Sequence, residues 1–180
     1  MTDQGLELLV QREALMLVAY PDPESPLFKT CTSAGITPYN NGYQRLVGWE
    51  AIPGNPWTIG VGHTGGVKAG DTCTREQALE MLRADLAWVD RAVALVRCPL
   101  EPHQGDALRS FIFNIGAPLW EGSTMLHMLN GDAPDMAAVA LQFDRWHTPA
   151  SITTRRNGEK FQFMGAAFHA RCDAQGNVIA

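Results

Sequence analysis

The chain has 180 residues, with 14 Lys or Arg against 19 Asp or Glu and a formal net charge of −5. At 46% hydrophobic and 18% charged residues it is far from the composition of disordered chains, and it is long enough to bury a sizeable core without disulfides or metals. The acidic balance argues against a general nucleic-acid binder, which needs a basic field, so no nucleic-acid partner is expected.

Residues 3–16 read as a helix. Leu6, Leu9, Val10 and Leu17 recur at near-helical spacing, and Asp3 and Glu7 suit the positive end of the helix dipole. Those acids stand where a signal peptide carries basic residues, and no run reaches the ~18 apolar residues of a membrane span. Synthesis in the cytoplasm, with no export signal or anchor, is expected. Residues 16–20 turn strand-like, and Pro21-Asp22-Pro23 stops them. Residues 23–56, rich in Pro, Gly, Asn, Ser and Thr, predict a loop or an elaborated hairpin. Residues 57–63 predict a short strand whose glycines allow close backbone approach.

From Thr74 the pattern is helical. Thr74-Arg75-Glu76-Gln77 is a capping-box sequence, and Ala78, Leu82, Leu86, Val89, Val93 and Val96 line one face until Pro99. Further helices are predicted over 103–115, closed by Gly116, over 124–130, from Pro134 to Trp146, and over part of 151–170, with a fraying tail at 173–180. Cys31, Cys73, Cys98 and Cys172 are irregularly spaced, with no CxxC pair and no zinc pattern. Four free thiols and no metal or cofactor are expected. The expected architecture is one α+β domain over 1–180, a small N-terminal β region enlarged by the 23–56 insertion and held against a helical lobe.

Glu13 falls near the end of the first helix. Asp22 follows just past the first strand, and Thr58 opens the second. An acid at a helix end and another on an adjoining strand can face each other across a cleft. Glycoside hydrolysis uses such a pair, one carboxyl donating a proton to the leaving oxygen and the other handling water or the anomeric carbon. Spacing alone is equally compatible with solvated surface acids.

The run Glu13-Ala14-Leu15-Met16-Leu17-Val18-Ala19-Tyr20-Pro21-Asp22, followed by Trp57-Thr58-Ile59-Gly60-Val61-Gly62-His63-Thr64, resembles the phage-type lysozymes. These are the muramidase endolysins of tailed phages, glycoside hydrolase family twenty-four. The resemblance continues through the capped helix from Thr74 to Asp85, Phe113-Asn114-Ile115-Gly116, Ser123-Thr124-Met125-Leu126, and Ser151-Ile152-Thr153-Thr154-Arg155-Arg156-Asn157-Gly158-Glu159. In the last, Ser and Ile replace the family's Gly and Leu.

The resemblance implies roles. Glu13 would be the general acid, Asp22 the carboxylate that activates or orients water, and Thr58 the hydroxyl that positions that water. Inversion is implied, with the two carboxyls about 6.5–9.5 Å apart. His63 and Asp85 would form a structural pair tying the β region to the helical lobe. The rival reading makes His63 a base, although Glu13 and Asp22 already fill both roles. One of Arg155 and Arg156 would orient the catalytic acid, where ordinary surface arginines would only be solvated. Asn114, Ser123 and Thr124 are candidates to line the saccharide site, with helix capping the alternative for the last two.

The segment between Asp22 and Thr58 departs from the family, which needs only a tight turn there. Its Phe28, Tyr39, Tyr43 and Trp49 suit either sugar stacking or packing, and Glu24 and Glu50 are fallback acids. The implied function is hydrolysis of the β-1,4 bond between N-acetylmuramic acid and N-acetylglucosamine in bacterial peptidoglycan. The enzyme would be a monomer dependent on a holin-like permeabiliser. A lytic transglycosylase and a non-catalytic virion or wall-binding protein are the alternatives.

Overall fold

The computed structural model describes residues 1–165. The expected fraying tail, Cys172 and the end of the 151–170 segment lie outside them. The architecture is α+β, mostly helical with one two-stranded antiparallel sheet. The chain divides into two compact units, one of Met1–Arg12 with the chain from Leu86 onward, the other of Glu13–Asp85.

The first unit is helical. It holds nearly all of α1 (Asp3–Glu13), then α4 (Ala87–Val93), α5 (Pro102–Ile115), α6 (Ala117–Glu121), α7 (Thr124–Leu129), α8 (Met136–Ala140) and α9 (Thr153–Met164). Its centre is α5. Glu101 and Gln104 form a capping box at its start, with Pro102 in the first turn, where a missing N–H costs nothing. Ala107, Leu108, Phe111 and Ile112 on α5 are fully buried. The Phe111 ring meets those of Trp120, Phe143 and Trp146 edge-on, and the Arg156 guanidinium lies 4.9 Å over its centre. Trp120 buries its indole by donating its N–H to Ala92 O at 2.8 Å.

The start of α1 is tied to α5. Asp106, 3% exposed, accepts from Thr2 N at 3.0 Å and from the Thr2 hydroxyl, while Thr2 Oγ1 accepts from Gly5 N. Gly5 is required by this approach, because a Cβ there would lie 2.4 Å from the Asp106 carboxyl.

The second unit contains β1 (Met16–Pro21), α2 (Pro26–Ser33), β2 (Trp57–Gly60) and α3 (Arg75–Asp85). The strands pair antiparallel with Tyr20 opposite Thr58 and Pro21 opposite Trp57, and the register is irregular between Met16 and Tyr20. The other edge of β1 is covered by residues 71–73, through Ala19 N to Asp71 O and Cys73 N to Leu17 O. Gly60 ends β2 at a left-handed φ of 65°, a conformation that residues with a Cβ rarely adopt. The Thr74–Gln77 box opens α3 in both directions, at 2.8 and 3.2 Å.

Four expectations change. The first helix ends at Glu13 rather than residue 16, because Ala14 adopts a left-handed φ of 66° and ends it. The helix predicted from Thr74 to Pro99 is two helices, interrupted at Leu86 where the units divide. A short helix, α6, occupies 117–121, where none was predicted. The 134–146 segment is α8, capped by Asp135, followed by a 3-10 turn over Leu141–Arg145.

The 23–56 insertion is an elaborated hairpin with its own helix and two 3-10 turns, Gly42–Arg45 and Trp49–Ala51. In α2, Ser25 caps Phe28 N and Pro26 takes the first turn. Thr30, Thr32 and Ser33 turn their hydroxyls back to carbonyls four residues earlier. That habit weakens helix propensity, and burial of Leu27 and Cys31 one turn apart overrides it. With Ala19, Tyr43, Trp57 and Ile59 these residues form the unit's core.

Candidate active site

Glu13, Asp22 and Thr58 all belong to the second unit. Glu13 is the last residue of α1, partly exposed, and the left-handed Ala14 turns the chain directly into β1. Asp22 follows β1. Its backbone N–H bonds Pro56 O at 2.9 Å, which extends the strand pairing by one residue. Its side chain is fixed by an Asx-type contact, with Oδ1 accepting from Glu24 N at 2.7 Å. The start of the insertion therefore sets where Asp22 sits. Thr58 is 6% exposed and lies across the ladder from Tyr20.

Tyr20 connects these groups. Its phenol pKa is raised, first by burial, then by the negative fields of Tyr39, Asp22 and Glu13, while hydrogen bonding with the Thr58 side chain pulls the other way. One phenol thus senses both acids and the threonine. It stays neutral through the working range and keeps its O–H as a donor. Sequence reasoning passed over Tyr20 as a site residue. The available signal was the strand period, which puts residues 20 and 22 on the same side.

The fallback acids are differently placed. Glu24 is highly exposed and pairs with Lys29 at 2.7 Å, which lowers its pKa through a hydrogen bond and charge. Glu50 lies exposed in the second 3-10 turn.

His63 Nδ1 lies 2.8 Å from Asp85 Oδ2, and His63 Nε2 lies 3.0 Å from Gly65 O. Both ring nitrogens face acceptors. The contact joins the turn after β2 to the end of α3, two parts of the same unit, rather than the β region to a separate helical lobe.

The remaining predicted residues lie in the first unit. Arg155 and Arg156 are not solvated surface charges. Their side chains are 11% and 2% exposed, and both hold Glu159, which is fully buried. Arg155 Nη2 also bonds Ser110 O at 2.9 Å. Arg156 Nε donates to Trp146 O at 3.1 Å, and its Nη2 donates to Asn114 Oδ1. Ser110 Oγ completes the cluster with a 2.7 Å bond to Glu159 Oε1. Ser123 caps α7 by accepting from Leu126 N at 3.1 Å. Exposed Thr124 lines an open groove of about 490 Å³ with Arg97, Glu121, His127 and Asn130. Asn130 is committed there, to Arg97 N and Leu95 O.

Residues 40–159 match the family model described as Phage lysozyme. The match includes Thr58 and begins after Glu13 and Asp22. The chain is 41% identical over 131 residues to the endolysin of Salmonella phage P22, an alignment covering 67% of this chain and 88% of that protein. Among solved structures, a mutant of P22 lysozyme matches with a TM-score of 0.69 at 32% identity, covering 92% of this chain and 98% of the other. The muramidase domain of SpmX from Asticaccaulis excentricus matches with a TM-score of 0.70 at 28% identity, over the same shares of the two chains.

Proposed function

This chain belongs to the phage lysozyme family, and from that membership we propose that Glu13, Asp22 and Thr58 carry out its reaction. The enzyme is a lysozyme-type glycoside hydrolase, an endolysin that hydrolyses peptidoglycan. The bond cut in our reading is the β-1,4 linkage between N-acetylmuramic acid and N-acetylglucosamine. Glu13 gives its proton to the departing glycosidic oxygen. Asp22 takes a proton from a water that attacks the anomeric carbon on the opposite face, so the configuration inverts. The Thr58 hydroxyl accepts from or donates to that water, and the neutral Tyr20 phenol supplies a further fixed donor beside it.

The observation that carries this reading is the placement of all three groups around β1, with Glu13 ending the helix before it, Asp22 directly after it, and Thr58 opposite Tyr20 on its partner strand. His63 is read as structural, because acceptors occupy both sides of its ring. A transglycosylase needs one acid and no water, so the Asp22 and Thr58 pair disfavours it. Purified peptidoglycan digested by the enzyme tests the choice. Muropeptides with free reducing ends support hydrolysis, and anhydro ends overturn it.

Delivery is read as depending on a second protein. No helix among the described residues is long and apolar enough to cross a membrane, and a holin-like permeabiliser would supply the route to the wall. Expression with and without such a permeabiliser, followed by culture turbidity, tests this. Equal lysis in both cultures would overturn it.

A further inference from the structure

The insertion carries two separate sets of aromatic rings. Tyr43 meets Trp49 and Trp57 edge-on, each at a centroid distance of 4.9 Å, and the three belong to or pack against the core of the second unit. The other set stands outside that core. Phe28 on α2 meets Tyr39 edge-on at 5.7 Å, and Tyr39 meets Tyr20 at 5.0 Å with the planes tilted by 55°. All three rings are only half-buried.

The row therefore runs from the insertion onto β1. It ends at the residue opposite Thr58 and two positions before Asp22. Three adjacent large rings left partly in water forgo part of the stabilisation that full burial would bring, so a ligand that covers them gains it. Aromatic walls with a few polar groups line small-molecule sites generally. A pyranose matches this lining, with an apolar C–H face for a ring and hydroxyls at its rim for the Tyr39 and Tyr20 phenols and for Asp22.

We propose that Phe28, Tyr39 and Tyr20 form a glycan-stacking wall, built by the insertion, that holds the pyranose rings of a peptidoglycan strand beside the bond being cut. This rests on the assignment of Glu13, Asp22 and Thr58, because their place at the end of the row makes the substrate's own sugar chain the occupant. The wall lengthens the binding face on the Asp22 side, so the longer insertion serves affinity for chains rather than the chemical step.

The test uses Phe28→Leu and Tyr39→Leu, which keep apolar bulk and remove the flat ring. Binding to soluble peptidoglycan glycan strands is measured by calorimetry in an inactive Glu13→Gln background, and kcat and KM are measured in the active one. Each Leu variant is expected to weaken binding and raise KM by about three- to tenfold, the weight of one ring contact, with kcat held. Tyr39→Phe restores the ring and is expected to recover most of the affinity. Unchanged binding in the folded Leu variants overturns the wall. So does a fall in kcat and melting temperature with KM unmoved, which marks packing alone. If Tyr39→Leu does not fold, Phe28→Leu, at the far end of the row, carries the same expectation. A wild type that releases no muropeptides refutes the catalytic assignment instead, whatever the binding arm reads.

Discussion

Replacing Glu159 with Gln removes the charge at the centre of the first unit while keeping its shape. Glu159 is fully buried, and its carboxylate accepts from Ser110 Oγ at 2.7 Å, from Arg155 Nε at 2.9 Å and from Arg156 Nη1. A Gln there turns an amide N–H2 toward one guanidinium and takes the counter-charge away from both. Breaking a buried pair costs about 3–5 kcal/mol, and the slight exposure of Arg155 favours the lower figure. At roughly 2–4 °C per kcal/mol for a chain of this size, about 3 kcal/mol lowers Tm by about 6–12 °C. Thermal unfolding followed by circular dichroism at neutral pH measures it. The drop should be nearly the same at low and high salt, because buried charges are little screened. A Tm within about 2 °C of wild type, or a loss that vanishes with salt, would refute the reasoning.

Two glycines give opposite expectations. Gly5→Ala drives a methyl into Asp106 and should cost about 1–3 kcal/mol despite a helix-propensity gain of about 1. Gly105→Ala meets only the movable Arg109 Nη1, at 2.9 Å, and should be neutral or up to about 1 kcal/mol stabilising in urea unfolding. Equal effects would contradict the close approach of α1 and α5. On permeabilised cells, Asp22→Asn should lose at least about 100-fold in turbidity clearing, and Glu24→Gln less than about threefold, because Glu24 is engaged with Lys29 in solvent. Comparable losses would move the base role to Glu24. A net charge of −5 gives the enzyme no net attraction to an acidic wall, so activity on purified peptidoglycan should vary little with added salt. A steep fall would show steering by a local basic patch.

Legibility in the sequence followed locality. The capping boxes at Thr74 and Glu101 are short-range hydrogen-bond patterns, and α3 and α5 start where such patterns start helices. The two strands were readable as short apolar runs ended by Pro and Gly, but the register that sets Tyr20 opposite Thr58 was not. The helix within the insertion was hidden by its Thr, Cys and Ser content, although Ser25-Pro26 is a start signal. The division at Leu86 was invisible because the apolar spacing runs straight through it. Arg155 and Arg156 stood out only through the family resemblance, as candidates to orient the catalytic acid, because their carboxylate, three and four residues on, is an ordinary helix-face pair in sequence. Only the fold shows that Ser110 and Phe111 enclose that pair. Tyr20 was missed for a related reason, since its importance comes from what lies across the ladder.

The account depends most on Glu13 as the proton donor. Wild type and Glu13→Gln should be compared on purified peptidoglycan, with the anomeric form of the fresh products read by NMR and the fold of each checked by circular dichroism. The account predicts α-configured reducing ends from wild type and a loss of roughly 100-fold or more in a folded Glu13→Gln. Wild-type-like hydrolysis by that variant would contradict it.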